Sequence, residues 1–281
     1  MNGSTWRLIK EEGLLGFFRG RTLHGYVYLR WIKPYVRVAV KQLLPILPRP
    51  AKQYLKNRYH AKLLTQEEAE AIITIDRSIE LHKVPEQLVP FKYVRDIVIK
   101  EPHDIAVIDC ACRSAQDNDC HPRQVCMIIG QPFVDFVLDQ QGDAARRISQ
   151  EEAIQLLKDE RDRGHMHCAW FKDACLGRFY AICNCCPCCC SGLKAMHQYD
   201  TKMVASSGYV STVAADKCDN CGKCVERCPF HAIESGAKQA EVNWETCMGC
   251  GVCESVCPNG AHSLYADEAK GLPFDVRVLG K

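Results

Sequence analysis

Cys218, Cys221, Cys224 and Cys228 form a C-x2-C-x2-C-x3-C run, and Cys247, Cys250, Cys253 and Cys257 repeat it 29 residues later. Both runs end in Cys-Pro, at Pro229 and Pro258. Thiolates are ligands for soft, thiophilic metals. A cubane iron–sulfur cluster has four corner irons, and each needs one thiolate. Two-residue gaps let one tight loop reach three corners. The fourth thiolate then comes from elsewhere in the chain. Gly222, Gly249 and Gly251 allow backbone to approach a cluster and turn N–H groups toward its sulfurs. Pro229 and Pro258 fix φ and lack an N–H, so they turn the chain away after the last thiol. The competing chemistry is structural zinc, held by four-ligand knots that lack the three-residue gap and the Cys-Pro ending.

Twelve further cysteines lie upstream. Cys110, Cys112, Cys120 and Cys126 make C-x-C-x7-C-x5-C, enough thiols for one cluster. Cys168 and Cys175 follow singly. Cys183, Cys185, Cys186, Cys188, Cys189 and Cys190 form the densest run, C-N-C-C-P-C-C-C. Neighbouring side chains diverge, so those six cannot all reach one cubane. A subset of these ten clustered thiols, 110–126 and 183–190, is expected to bind metal. Three chemistries stay open: at least one additional iron–sulfur cluster, cubane or larger; a zinc or copper thiolate site; and free or redox-switching thiols. Arg113 is placed to offset thiolate charge and to hydrogen-bond cluster sulfurs. His103, His121, His165 and His167 lie near the cysteines and are either ligands or ordinary polar residues. Asp109 and Asp173 are second acceptors or solvated carboxylates. No Gly-x-Gly-x-x-Gly, phosphate loop or catalytic serine motif points to NAD, FAD or ATP.

The stretches DKCDNCGKCVERCPFHAI and WETCMGCGVCESVCPNGAH resemble the two half-repeats of the dicluster bacterial-type ferredoxin family, over residues 211–268. The resemblance implies a pseudo-symmetric α+β module that passes single electrons at low potential. It also implies crossed ligation, in which the fourth cysteine of each run serves the other cluster. One [4Fe-4S] cluster would take Cys218, Cys221, Cys224 and Cys257, and a second Cys247, Cys250, Cys253 and Cys228. The order of the upstream pieces resembles poorly characterised ferredoxin-like iron–sulfur proteins of anaerobes, over residues 85–268. Those pieces are a strand feeding C-x-C-R, a C-x5-C ending in C-M-x-x-G, a helix opening ISQEEAIQLL, then G-H-M-H and I-C-N-C-C-x-C-C-C. This likeness implies a metal-binding domain fused to an electron-transfer module, and supplies no reaction. Pro187, Cys168 and Cys175 depart from that group's pattern.

These motifs need elements to position them. The 281 residues are 47% hydrophobic and 25% charged, as in a globular protein. Twenty cysteines without a visible secretory signal suit metal binding in a reducing, anaerobic interior better than disulfides. The expected location is cytoplasmic, with peripheral attachment to the cytoplasmic membrane face as an option. Residues 1–62 hold 13 Lys/Arg against Glu11 and Glu12, or +11; the remainder holds 23 basic and 32 acidic residues, or −9. Arg30, Lys33, Arg37 and Lys41 recur at helical spacing among Trp6, Phe17, Phe18, Tyr26, Tyr28, Trp31 and Tyr35. Three targets suit this basic arm: an anionic membrane surface, a partner subunit, or its own protein. Nucleic acid is not expected.

Thr65 with Glu68 predicts a capped helix over 65–82, its stripe formed by Ala69, Ile72, Ile73 and Ile79. Residues 105–108 predict a buried strand running into Asp109-Cys110. Ser149 with Glu152 predicts a second capped helix, closed by Gly164, and 165–170 leans toward strand. The expected fold is α+β in three parts: a basic amphipathic helical arm (1–62), a mixed α/β cysteine-rich metal-binding domain (63–204) and a ferredoxin-like dicluster module (205–281). The expected function is relay of single low-potential electrons between redox partner proteins. The alternative is a reductase whose upstream cluster or thiols are fed by the ferredoxin module.

Overall fold

The computed structural model describes residues 3–18, 21–116 and 120–279. The chain opens with helices α1 (Gly3–Phe18), α2 (Arg21–Arg30) and α3 (Ile32–Val38), then a π-helical turn, the short α4 (Leu44–Ile46) and α5 (Arg49–Lys56). The side chains of Phe17 and Phe18, and Arg19, lie outside the described residues. Strand β1 (Tyr59–Leu64) leads to α6 (Gln66–Thr74), β2 (Ile79–Leu81), β3 (Ile97–Asp109) and α7 (Ala111–Ala115). Next come β4 (Gln124–Gln131), α8 (Phe133–Gln141), β5 (Ala145–Ile148), α9 (Gln150–Asp162), β6 (Met166–Lys172), β7 (Arg178–Cys185) and α10 (Ser191–Tyr199). The remainder holds β8 (Val204–Ala205), β9 (Tyr209–Val213), α11 (Lys223–Arg227), β10 (Ile233–Ser235), β11 (Ala240–Val242), α12 (Val252–Val256) and β12 (His262–Ala266).

Strands β1–β8 form one sheet in the order β2-β3-β4-β7-β6-β1-β8, with β5 also on β3. All pairings within it are antiparallel except β1 with β8. Both faces are covered, so the central strands read as nearly continuous apolar runs. Alternation still sorts their side chains. On β6, Met166, Cys168 and Trp170 enter one core, and Ala169 and Phe171 the other. The first core is closed by Leu8, Leu29, Ile32 and Val36 of the N-terminal helices and by Phe133 and Phe136 of α8. The second is closed by Ile72 and Ile73 of α6, by Leu157 of α9, and by Phe274 and Val276 near the C-terminus.

The basic N-terminal residues are therefore packed helices. Their cations meet carboxylates of the body: Arg7 with Asp135 at 2.6 Å, Lys33 with Asp109 at 2.7 Å, Arg58 with Asp173 at 3.0 Å. The charge boundary at residue 62 falls inside β1, because a shift in composition marks net charge and not the path of the chain. At the other end, Leu272 N–H bonds Gln87 O at 2.7 Å, and Phe274 packs on Phe171 and Phe179.

The helix expected over 65–82 stops at Thr74. Its capping box forms as expected, with Thr65 and Glu68 bonded both ways. The β-branched run Ile72-Ile73-Thr74-Ile75 then loses helix support, Ile75 turns extended, and Ile79 is buried on β2 instead. The strand expected at 105–108 is the end of a 13-residue strand. Ser149 caps α9 through Glu152 N–H, while the Glu152 carboxylate goes to Arg146 at 2.5 Å. Among the described residues no helix is long and apolar enough to cross a membrane.

Candidate metal centres

The two C-terminal runs fold alike. Helices α11 and α12 each span five residues and start after a glycine in left-handed conformation, Gly222 (φ 78°) and Gly251 (φ 76°). Positive φ recurs at the same offset in Asn220 and Gly249, and in His231 and Gly260. Gly249 has no room for a side chain, since a Cβ there would lie 2.2 Å from Tyr209 O. Two backbone N–H groups point at sulfurs in equivalent places: Ala232 to Cys228 Sγ and Ala261 to Cys257 Sγ, both at 3.3 Å. Such donors stabilise thiolates bound to a cluster. β9 pairs with β12, and β10 with β11, to frame the pair of loops.

Cys228, Cys247, Cys250 and Cys253 line one small cavity with Pro229, Phe230, Ile233 and Leu264. Burial pushes the Cys253 thiol up to about 12, against a lowering hydrogen bond to Ser211. Thiols this reluctant to ionise bind metal by exchanging protons for the ion's charge. Of the other four, Cys221 is exposed, Cys218 and Cys257 are partly buried, and Cys224 is buried.

Upstream, the sheet gathers thiols by register. Cys126 on β4 faces Cys183 on β7, and Cys183 faces Cys168 on β6. Cys183 and Cys185, two apart on a strand, share a face. Cys110 caps α7, and Cys112 lies in its first turn. The result is a row of neighbouring thiols, Cys112–Cys110–Cys126–Cys183, and a second, Cys168–Cys185–Cys190. The neighbouring Cys110 thiol, with burial, raises the Cys112 thiol well above its ordinary value. Six of these thiols line one mostly apolar cavity, walled by Tyr28, Tyr59, Trp170 and Tyr180. Two buried donors of the wall, Arg113 Nε and Trp170 Nε1, have no partner among the described residues. Unpaired buried N–H groups beside thiols fit a group that brings acceptor sulfides.

Cys120, Cys186, Cys188 and Cys189 form a separate knot, with all four sulfurs within 4.8 Å of one another. Cys186 and Cys189 are joined as a disulfide. The dense 183–190 run thus divides: Cys183, Cys185 and Cys190 face inward, and Cys186, Cys188 and Cys189 meet Cys120.

Arg113 meets its expected use only in part: its Nε is left without a partner beside the thiols, while its terminal nitrogens are bonded elsewhere. Its guanidinium is taken by Glu160 Oε2 (2.6 Å), Pro122 O and Asn184 O (3.2 Å), and its backbone N–H reaches Cys110 Sγ at 3.5 Å. Asp109 and Asp173 are ion-paired with Lys33 and Arg58. His165 bonds Glu160 at 2.7 Å, and both ring nitrogens of His167 are engaged, with Asn184 and Gln66. Burial holds His167 down to about 4. Cys168 belongs with the inner thiols, although its isolation in the sequence left it out of the candidate set. The available signal was parity with Trp170 on a strand. Cys175 is buried apart from them, beside Lys172.

Residues 217–261 match the 4Fe-4S dicluster domain family. The match supports 4Fe-4S binding and iron–sulfur electron transfer by this ferredoxin-type part of a mixed α and β chain. No curated protein matches the chain.

Proposed function

We propose that the protein relays single electrons from a surface-near ferredoxin site, through a buried one, into the upstream thiol chamber. The observation carrying this is one of packing. Cys228, Cys247 and Cys250 share a single apolar core with the upstream cysteines, and the Cys218–Cys221–Cys224 loop does not. Cys250 lies close enough to Cys168 to disfavour its ionisation. Bound clusters would supply one-electron carriers of low potential. The chain's own residues hold them, keep water out and set the path. Cys218, Cys221, Cys224 and Cys257 are assigned to the outer cluster, where a redox partner can approach Cys221. Cys247, Cys250, Cys253 and Cys228 are assigned to the inner one. Cys110, Cys112, Cys126 and Cys183, with Cys168, Cys185 and Cys190 adjoining, are assigned to at least one additional cluster.

Iron and acid-labile sulfide content of the anaerobically purified full-length chain tests this. About 12 or more Fe per chain is expected, and about 8 would remove the upstream cluster. An EPR redox titration then checks for magnetic interaction between the inner and upstream centres.

A reductase reading has one observation in its favour. A second apolar cavity, lined by Tyr28, Tyr35, Tyr59 and Lys172, adjoins the thiol chamber through Tyr28 and Tyr59. Change of the upstream EPR signal on adding a disulfide or small thiol would move the assignment to catalysis. The N-terminal helices also leave Trp31, Val38, Leu43 and Ile46 exposed beside Arg37 and Lys41. We assign this face to docking on an anionic membrane surface. Flotation of the full chain with anionic vesicles at low salt is the check, and failure to float removes it.

A further inference from the structure

We infer that Cys120, Cys186, Cys188 and Cys189 form a mononuclear tetrathiolate site for a zinc ion, separate from every iron–sulfur centre. The sulfur–sulfur distances carry this. Cys120 lies 3.7 Å from Cys186, 3.8 Å from Cys188 and 3.7 Å from Cys189, and Cys186 lies 3.5 Å from Cys188. Four thiolates at about 2.3 Å around one tetrahedral zinc sit about 3.8 Å apart. A cubane spreads its thiolates over four irons and holds them further apart. Among the described residues, this is the group whose sulfurs converge on a single point. The donor set, four cysteines and nothing else, is that of a closed structural zinc site.

The ion binds the reduced chain, because the Cys186–Cys189 pair must be open for both sulfurs to serve as ligands. Its position gives it work. Cys120 lies on the connection from α7 to β4, and the other three lie between β7 and α10. Cys186 and Cys189 also line the inner thiol cavity. Zinc there ties the two loops together at the wall of that cavity. It closes the wall that keeps water from the inner thiols, and takes no part in electron transfer.

The test is metal analysis of the full-length chain, purified anaerobically with a phosphine reductant. About one zinc per chain beside the iron is expected. Cys188→Ser, at an exposed position, and Cys120→Ser should each remove that zinc and leave iron and sulfide unchanged. Cobalt in its place should show the thiolate-to-metal charge-transfer bands of a tetrahedral tetrathiolate. Zinc undiminished in both variants would overturn the assignment. So would loss of iron and sulfide with Cys188→Ser, which would make the knot part of a cluster, or iron without sulfide at this site. The wild-type iron count reads the upstream cluster independently, so the two assignments fail separately.

Discussion

Arg113 and Glu160 meet at 2.6 Å with both side chains wholly shielded from solvent. Arg113 follows Cys112 in the first thiol group, and Glu160 stands near the end of α9, so the pair pins the thiol-bearing helix to the element that packs on α12. Burial alone would raise the Glu160 carboxyl. The His165 hydrogen bond and the Arg113 charge outweigh it and hold the group below its ordinary value. Removing one partner strands a buried charge, at a cost of about 3–5 kcal/mol. Glu160→Gln should therefore lower stability by about that amount at pH 7, read from denaturant midpoints. A lowered carboxyl contributes stability above its unfolded pKa, near 4.3, and loses it as pH falls through the folded value. The gap between wild type and variant should narrow below pH 4.

Cys126 and Cys175 are both buried thiols, and they separate binding from packing. Cys126 sits in the row with Cys183 and Cys168, while Cys175 has no thiol neighbour in that row. Cys126→Ser should lower iron by about one cluster's worth and leave the ferredoxin signals. Cys175→Ser should leave iron and sulfide at the wild-type level. Equal iron in both variants would show that the row is an ordinary core.

The pattern of what the residues foretold follows from range. Thr65, Glu68 and Ser149 cap helices through partners three residues away, and these were legible. The ferredoxin runs were legible because each loop carries its own thiols and its own left-handed turns. The division of 183–190 was not, since it depends on β7 register against β4 and β6 and on Cys120 arriving from another loop. The sequence left open whether the basic arm meets a membrane, a partner or its own protein, because its carboxylate partners, Asp109, Asp135 and Asp173, lie 76 to 128 positions away. Phe274 and Val276 carried no local sign that they close the second core.

Gly249 and Gly222 share positive φ and differ in surroundings. A Cβ at Gly222 meets nothing within 4 Å, whereas at Gly249 it would strike Tyr209 O. Gly222→Ala should cost about 1–2 kcal/mol of left-handed strain and keep both ferredoxin clusters. Gly249→Ala adds about 1–3 kcal/mol of overlap and pushes the Cys247–Cys250 loop off β9. The expected result is loss of the inner cluster's EPR signal in Gly249→Ala alone. Intact signals in both would show that the loop tolerates displacement.

His60 stacks between Phe91, at 3.7 Å between ring centres, and Phe171, at 5.4 Å. Burial lowers its pKa to about 3, so the folded chain holds it neutral. The unfolded chain protonates it near 6.5. Between those values the unfolded state binds the extra proton, and stability falls with falling pH by up to about 1.4 kcal/mol per unit. The contribution is complete above pH 6.5 and shrinks steadily below it. Replacement by a ring of similar shape that cannot titrate, His60→Phe, should keep the stacking and flatten this slope. Denaturant midpoints at pH 7.5 and pH 5.5 measure it: the wild type should lose about 1 kcal/mol more than the variant over that interval. Parallel losses would mean that His60 titrates in the folded chain as it does in the unfolded one.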